Sequence, residues 1–182
     1  MIRMLLTSSG FENSLLNIYK HQFRKYMYDV KVLFIPTAAN TDDAKQFLPK
    51  CKDDLLRAGV TEDNIIVYDL DREMSLSEIM QYDSIYVCGG SSKYLISRIV
   101  AMNMLDTFIQ AIRSGIVYVG VSAGSIICTS SVEPNLGIIP NKFKPHCTSD
   151  ITFRKLHQSI SDELRLSDGM AAYVYGELIQ IV

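Results

Sequence analysis

Gly115-Ile-Val-Tyr-Val-Gly120-Val-Ser122-Ala-Gly124-Ser125-Ile-Ile127 is the stretch on which the reading of this chain turns. Its first half, Ile116 to Val119, is β-branched and aromatic, the composition of a short strand buried in a parallel sheet. Its second half is small and apolar, fit to begin a helix. Between them Gly120-Val121-Ser122-Ala123-Gly124 matches Gly-x-Ser-x-Gly, a nucleophile-elbow pattern that carries meaning only between a strand and a helix. The pattern has a steric cause. A sharp turn holds the serine in strained backbone geometry, and the glycines let neighbouring segments close in. The Ser122 hydroxyl is then expected above the carboxyl edge of a sheet, near N–H groups of partial positive charge.

Outward from that stretch, strand-like and helical runs alternate. Strands are expected at Arg3–Thr7, Lys31–Pro36, Ile65–Tyr68 and Ser84–Cys88. Helices are expected from Asn13 to Lys25 and from Thr41 to Arg57, the second kinked by Pro49. Further helices are read over Ser75–Met80, capped by a Ser75/Glu78 box, over Lys93–Val100, and from Leu105 to Arg113. After Ser122 come a loop with Glu133-Pro134, a brief apolar run at Leu136–Ile139, Pro145-His146 and a helix over Thr152–His157. The chain closes in a hairpin, Ala171–Tyr175 and Leu178–Val182, turning at Gly176-Glu177. This alternation predicts a mostly parallel sheet covered on both faces, with ligands beyond the strand carboxyl ends. The loops at Thr37, Gly89 and Ser122 are expected there. No repeat, low-complexity tract or linker divides residues 1–182, so one domain is expected.

Composition narrows the function. Of 182 residues, 48% are hydrophobic and 21% charged, and the formal net charge is −2, which gives no footprint for nucleic acid or acidic lipid. No apolar run approaches the roughly 20 residues that cross a bilayer. Met1 to Thr7 is too brief an apolar run for a signal peptide and reads as a first strand. Cys51, Cys88, Cys128 and Cys147 show no metal-ligand spacing, which fits reduced thiols and a cytoplasmic protein.

A serine needs a base to take its proton. Among three histidines, His21 and His157 sit on polar helical faces, whereas His146 follows Pro145 in a loop after the elbow. His146 is therefore the candidate general base. Candidates for the orienting carboxylate are Glu133, Asp150 and Asp168. Asp168 precedes Gly169 and is explained as a turn residue; Glu133, between nucleophile and base, is preferred. The N–H of Ala123 is the natural first oxyanion donor, and Gly89-Gly90 at a neighbouring strand end could supply the second. Ser91 and Ser92 follow that pair, but without the spacing of a phosphate loop.

Leu5-Leu-Thr-Ser-Ser-Gly10, Leu33-Phe-Ile-Pro-Thr-Ala38, Cys88-Gly-Gly90, Tyr118 to Ser125, Pro145-His146 and Leu166 to Ala171 together resemble the peptidase E (aspartyl dipeptidase) family of serine peptidases. The resemblance implies a three-layer α/β/α fold, similar to class I glutamine amidotransferases (flavodoxin-like) rather than to α/β-hydrolases. It implies Ser122 as nucleophile, His146 as base, and Gly90 and Ala123 as oxyanion hole. It also implies hydrolysis of small peptides, with a preference for an amino-terminal aspartate, and no metal or other cofactor. Two departures stand out. Ser91 occupies the place of a usual Asn in the substrate site. A stretch between Pro134 and Gly137, where relatives often carry an aspartate proposed as the acid, is missing, and Glu133 is its nearest match. A differently specific amidase, or a binding protein that kept the fold and lost the chemistry, is the alternative. Whether the chain acts as a monomer or a homodimer is left open.

Overall fold

The computed structural model describes residues 1–12, 14–148 and 163–182. The helix expected over Thr152–His157, with Asp150, lies outside these residues. The described chain runs β1 (Arg3–Thr7), α1 (Leu15–Lys20), β2 (Val32–Ile35), α2 (Asp42–Lys45), α3 (Leu48–Ala58), β3 (Ile65–Val67), α4 (Leu76–Ile79) and β4 (Ser84–Val87). It continues with α5 (Ser92–Ala101), α6 (Leu105–Arg113), β5 (Val117–Val121), α7 (Ala123–Ile126), β6 (Lys142–Lys144), β7 (Glu163–Arg165), β8 (Ala171–Tyr175) and β9 (Leu178–Ile181).

Among the described residues, seven strands form one sheet in the order β3-β2-β4-β5-β1-β8-β9. The first five are parallel, and the closing hairpin joins antiparallel through β8 on β1. β2, β4 and β5 are buried along their whole length. That is why their sequences are continuous apolar runs rather than alternating ones. One apolar cluster packs α1 and α3 (Leu15, Tyr19, Leu55) on one face of the sheet. The other packs α5 and α6 (Leu95, Ile99, Phe108, Ile112) on the opposite face. The architecture is the expected three-layer α/β/α sandwich with a mostly parallel sheet. No single helix among the described residues is long and apolar enough to cross a membrane.

Helices differ from expectation where local chemistry intervenes. α1 stops at Lys20 instead of Lys25, and the Gln22 carbonyl accepts from the Arg3 guanidinium at 2.8 Å rather than continuing the ladder. The helix expected from Thr41 to Arg57 is two helices. Pro49 lies in the first turn of α3, where its missing N–H costs nothing. The Ser75/Glu78 capping box of α4 forms in both directions.

A small parallel pair, β6 with β7, is absent from the sequence reading. Each of its strands is only three residues long, too short for a periodic signal. It matters because β6 leads into Pro145-His146 and β7 into Leu166–Asp168. Leu166 N–H donates to the Lys144 carbonyl at 3.0 Å and Cys147 N–H to the Leu166 carbonyl at 2.9 Å, so the two loops leave side by side.

Candidate active site

The elbow is built by close backbone approach. A Cβ on Gly120 would lie 2.5 Å from the carbonyl carbon of Gly124, and one on Gly124 would lie 2.5 Å from the Val87 carbonyl oxygen. Both positions need glycine because strand end, helix start and β4 occupy one small volume. Ser122 takes φ +46°, ψ −98°, a strained conformation for a residue with a side chain. Its N–H is held by the Thr7 carbonyl at 3.0 Å, at the carboxyl end of β1.

Ser122 Oγ lies 3.1 Å from His146 Nε2. His146 Nδ1 lies 2.6 Å from Asp168 Oδ1. A ring nitrogen facing a carboxylate carries the proton, so Nδ1–H donates to Asp168 and Nε2 is left to accept from Ser122. Asp168 Oδ1 also receives the Ser8 hydroxyl at 2.9 Å, and the Ser8 oxygen accepts the His146 N–H at 2.8 Å. Partial burial raises the Asp168 pKa, but the hydrogen bonds from His146 and Ser8 and the charges of His146 and Lys50 outweigh it, and the carboxyl is held below its ordinary value.

These groups line a cavity of about 630 Å³ with Ser9, Glu12, Ala44, Phe47, Lys50, Cys51, Gly89, Gly90 and Val121. Lys50 Nζ donates to Glu12 Oε1 at 2.7 Å, and that bond raises the ammonium pKa above its usual value against the opposing effect of burial. Gly89 packs against Ser122, whose Cβ is 3.5 Å from where a Gly89 Cβ would be. Gly90, at φ +139°, sits so close to Ala38 that a Cβ would meet its carbonyl oxygen at 2.0 Å. Ala123 is the first residue of α7, and its N–H is among the donors a helix start leaves without intrahelical partners. Among the described residues no group of His, Cys, Asp and Glu could hold a metal ion.

The expected residues divide accordingly. Ser122, His146, Gly89 and Gly90 meet in this cavity, with Ala123 adjoining Ser122 in the chain. Glu133 does not join them. Its Oε1 accepts from Asn135 Nδ2 at 3.0 Å, and it lines another cavity with Lys93, Ile96 and Val100. The place it was expected to fill, at His146 Nδ1, belongs to Asp168. Asp168, one of the three candidate carboxylates, is also the turn residue its sequence indicates; Gly169 follows with φ +83°. Ser91 is not in the cavity lining either. Its Oγ accepts the Tyr94 N–H at 3.2 Å and caps α5. The Thr37 loop lines a separate cavity with Asp69 and Arg98, and its Ala38 and Ala39 lie behind Gly90 of the site. Ser8 was missed. The one available signal was its place in Thr7-Ser-Ser-Gly10, directly after a strand on the site's edge of the sheet.

An elbow serine, an imidazole and a carboxylate in series at the carboxyl edge of a mostly parallel sheet is the arrangement of a serine-hydrolase class of protein. The chain belongs to peptidase family S51, whose model matches residues 4–181. It is 24% identical to an uncharacterised peptidase of Pasteurella multocida over 56% of this chain and 49% of that one. It is likewise 24% identical to a peptidase E of a Nostoc species, over 76% of this chain and 60% of that one. A crystal structure of a candidate peptidase E protein from Listeria monocytogenes superposes with a TM-score of 0.79 at 21% identity, covering 100% of this chain and 98% of that one. That likeness extends the fold assignment. The chain spans about a third to two thirds of the length of the curated relatives it matches.

Proposed function

We propose that this chain is a serine peptidase that cleaves short peptides through an acyl-enzyme on Ser122. The Ser122–His146–Asp168 series, at 3.1 and 2.6 Å, is the observation that carries the reading. His146 Nε2 takes the hydroxyl proton as Oγ attacks the scissile carbonyl, then returns it to the leaving amine. Asp168 holds the ring in the required tautomer and stabilises the imidazolium. The N–H groups of Ala123 and Gly90 receive the negative oxygen of the tetrahedral intermediate. Water repeats the sequence on the ester and frees Ser122. Peptides with an amino-terminal aspartate are the first substrates to test, because relatives carry the name peptidase E and the sequence resembles the aspartyl dipeptidase family.

The competing reading, a fold that lost its chemistry, was motivated by the shortened stretch after Glu133. A carboxylate 2.6 Å from the imidazole weighs against it. The test combines a fluorophosphonate probe with a panel of Asp-Xaa and other dipeptides. Wild type is expected to be labelled on Ser122 and to turn over part of the panel, and Ser122→Ala to do neither. An unlabelled wild type that leaves every peptide intact overturns the proposal.

A further inference from the structure

We propose that Ser8 is a positioning residue for this site, a fourth member of the series that sets His146 and Asp168 relative to each other. The inference rests on the serine-peptidase reading and extends it to a residue outside the three reacting groups.

Ser8 is fully buried at the end of β1. Its single oxygen touches both downstream partners of Ser122. It accepts the His146 backbone N–H at 2.8 Å and donates to Asp168 Oδ1 at 2.9 Å. A hydroxyl has one proton. Because the His146 amide can only donate and an ionised carboxylate can only accept, the direction of both bonds is set. The same Oδ1 takes the imidazole Nδ1–H at 2.6 Å, so Ser8, Asp168 and His146 close a ring of three hydrogen bonds. His146 itself has φ +57°, a conformation that a non-glycine residue keeps only when its surroundings hold it there. The bond from its N–H to Ser8 is one such hold.

Neighbours of Ser8 belong to the same frame. The Thr7 carbonyl accepts from Ser122 N–H at 3.0 Å and from Ser125 Oγ at 2.9 Å. Ser8 N–H donates to the Met170 carbonyl at 3.0 Å, and Ser9 Oγ accepts from Gly169 N–H at 2.9 Å. Three consecutive residues thus grip the nucleophile elbow, the base and the acid turn. Of the three, only Ser8 has its side chain on both the acid and the base.

Two consequences separate positioning from mere structure. Without the donated bond, Asp168 becomes more basic and holds the imidazolium more tightly, which moves the acid limb of kcat/KM to higher pH. The Lys50 charge, which also acts on Asp168, is unchanged by the substitution and cannot cause that movement. Without the accepted bond, the ring is held less firmly, and kcat falls while KM changes little.

The experiment compares wild type with Ser8→Ala and with Ser8→Cys, which keeps the side-chain shape, with a somewhat larger atom, but donates weakly. Each is tested for fluorophosphonate labelling rate, for kcat and KM on a cleaved dipeptide, and for the low-field proton signal of His146 Nδ1–H. Expected are a fall in kcat of about 10- to 100-fold, the scale of a displaced catalytic group, the pH shift described, and a broadened or displaced Nδ1–H signal. If Ser8→Ala does not fold, Ser8→Cys decides alone. A folded variant with the wild-type pH profile and an unmoved Nδ1–H signal overturns the proposal. An unlabelled, inactive wild type would instead sink the peptidase reading, and the proton signal would still report whether Ser8 holds the ring.

Discussion

The buried carboxylate of Asp54 accepts the Phe11 N–H at 2.8 Å, which ties α3 to the loop that follows β1. The same Oδ2 accepts the Tyr86 hydroxyl at 2.9 Å, so one carboxylate joins three elements whose ends surround the candidate site. Its other oxygen, Oδ1, is buried without a hydrogen-bond partner among the described residues, and the Arg57 guanidinium stays 3.7 Å away. Burial raises the Asp54 pKa, against the hydrogen bonds from Phe11 and Tyr86 and the charges of Lys50 and Arg57. Asp54→Ala would orphan a buried N–H and a buried O–H, at a cost of about 2–4 kcal/mol. Urea unfolding should show that loss. The sign of the pH effect follows from the raised pKa: the folded state holds this proton more tightly than the unfolded chain. Its contribution to stability is therefore full below the ordinary aspartate value and is lost as pH rises through the raised one. The Asp54→Ala deficit should be larger in acid than at neutral pH.

For Asp168 the direction is opposite. Its carboxyl is held below its ordinary value, so its stabilising contribution is present above that value and lost as pH falls through the lowered one. Its side chain is 59% exposed, so the contribution to folding is small. The chemistry is another matter. Asp168→Asn should lower kcat by about 10³- to 10⁴-fold with little change in melting temperature, whereas Glu133→Gln should leave kcat within about twofold. Steady-state kinetics on one cleaved dipeptide decides between the two acids. Equal losses in both variants would return Glu133 to consideration.

Gly90 leaves no room for a methyl group. A Cβ there would overlap the Ala38 carbonyl oxygen at 2.0 Å, at a φ of +139° that side chains avoid. Strain and overpacking together put the cost of Gly90→Ala at about 2–5 kcal/mol. Because the clash is between two backbones, relief must shift the loop that carries the proposed oxyanion donor. Differential scanning calorimetry should show the lowered melting temperature, and labelling of Ser122 should slow in the fraction that remains folded.

Among the buried thiols, Cys51 is the one that lines the cavity with Ser122. A hydrogen bond from Cys88 lowers its pKa, although burial opposes the shift. Burial pushes the Cys128 thiol up to about 12. A small alkylating reagent at pH 8 should therefore modify Cys51 well before Cys128, because the thiolate is the reacting form. Peptide mapping by mass spectrometry gives the order. Modification of Cys51 should also slow fluorophosphonate labelling of Ser122, since the added group enters the shared cavity.

What could be read along the chain was whatever depends on near neighbours. Continuous apolar runs marked β2, β4 and β5 because a strand covered on both faces has no polar side to show. Gly120 and Gly124 marked the elbow because backbone packing there leaves no room for a Cβ. Pro145 drew attention to His146 by restricting the backbone before it. The carboxylate that faces His146 was not legible in this way. Asp168 lies 22 residues from His146, and its local signal, an Asp-Gly turn, is true but incomplete. The pairing of β6 with β7, together with the bonds from Ser8 and Ser9, lays that turn beside the imidazole, and Ser8 reaches His146 from 138 residues away, just after β1. Hydrogen bonds between side chains distant in sequence leave no periodicity to detect. They exist once the sheet has set its strand order, and that order is decided by how the whole apolar surface is buried.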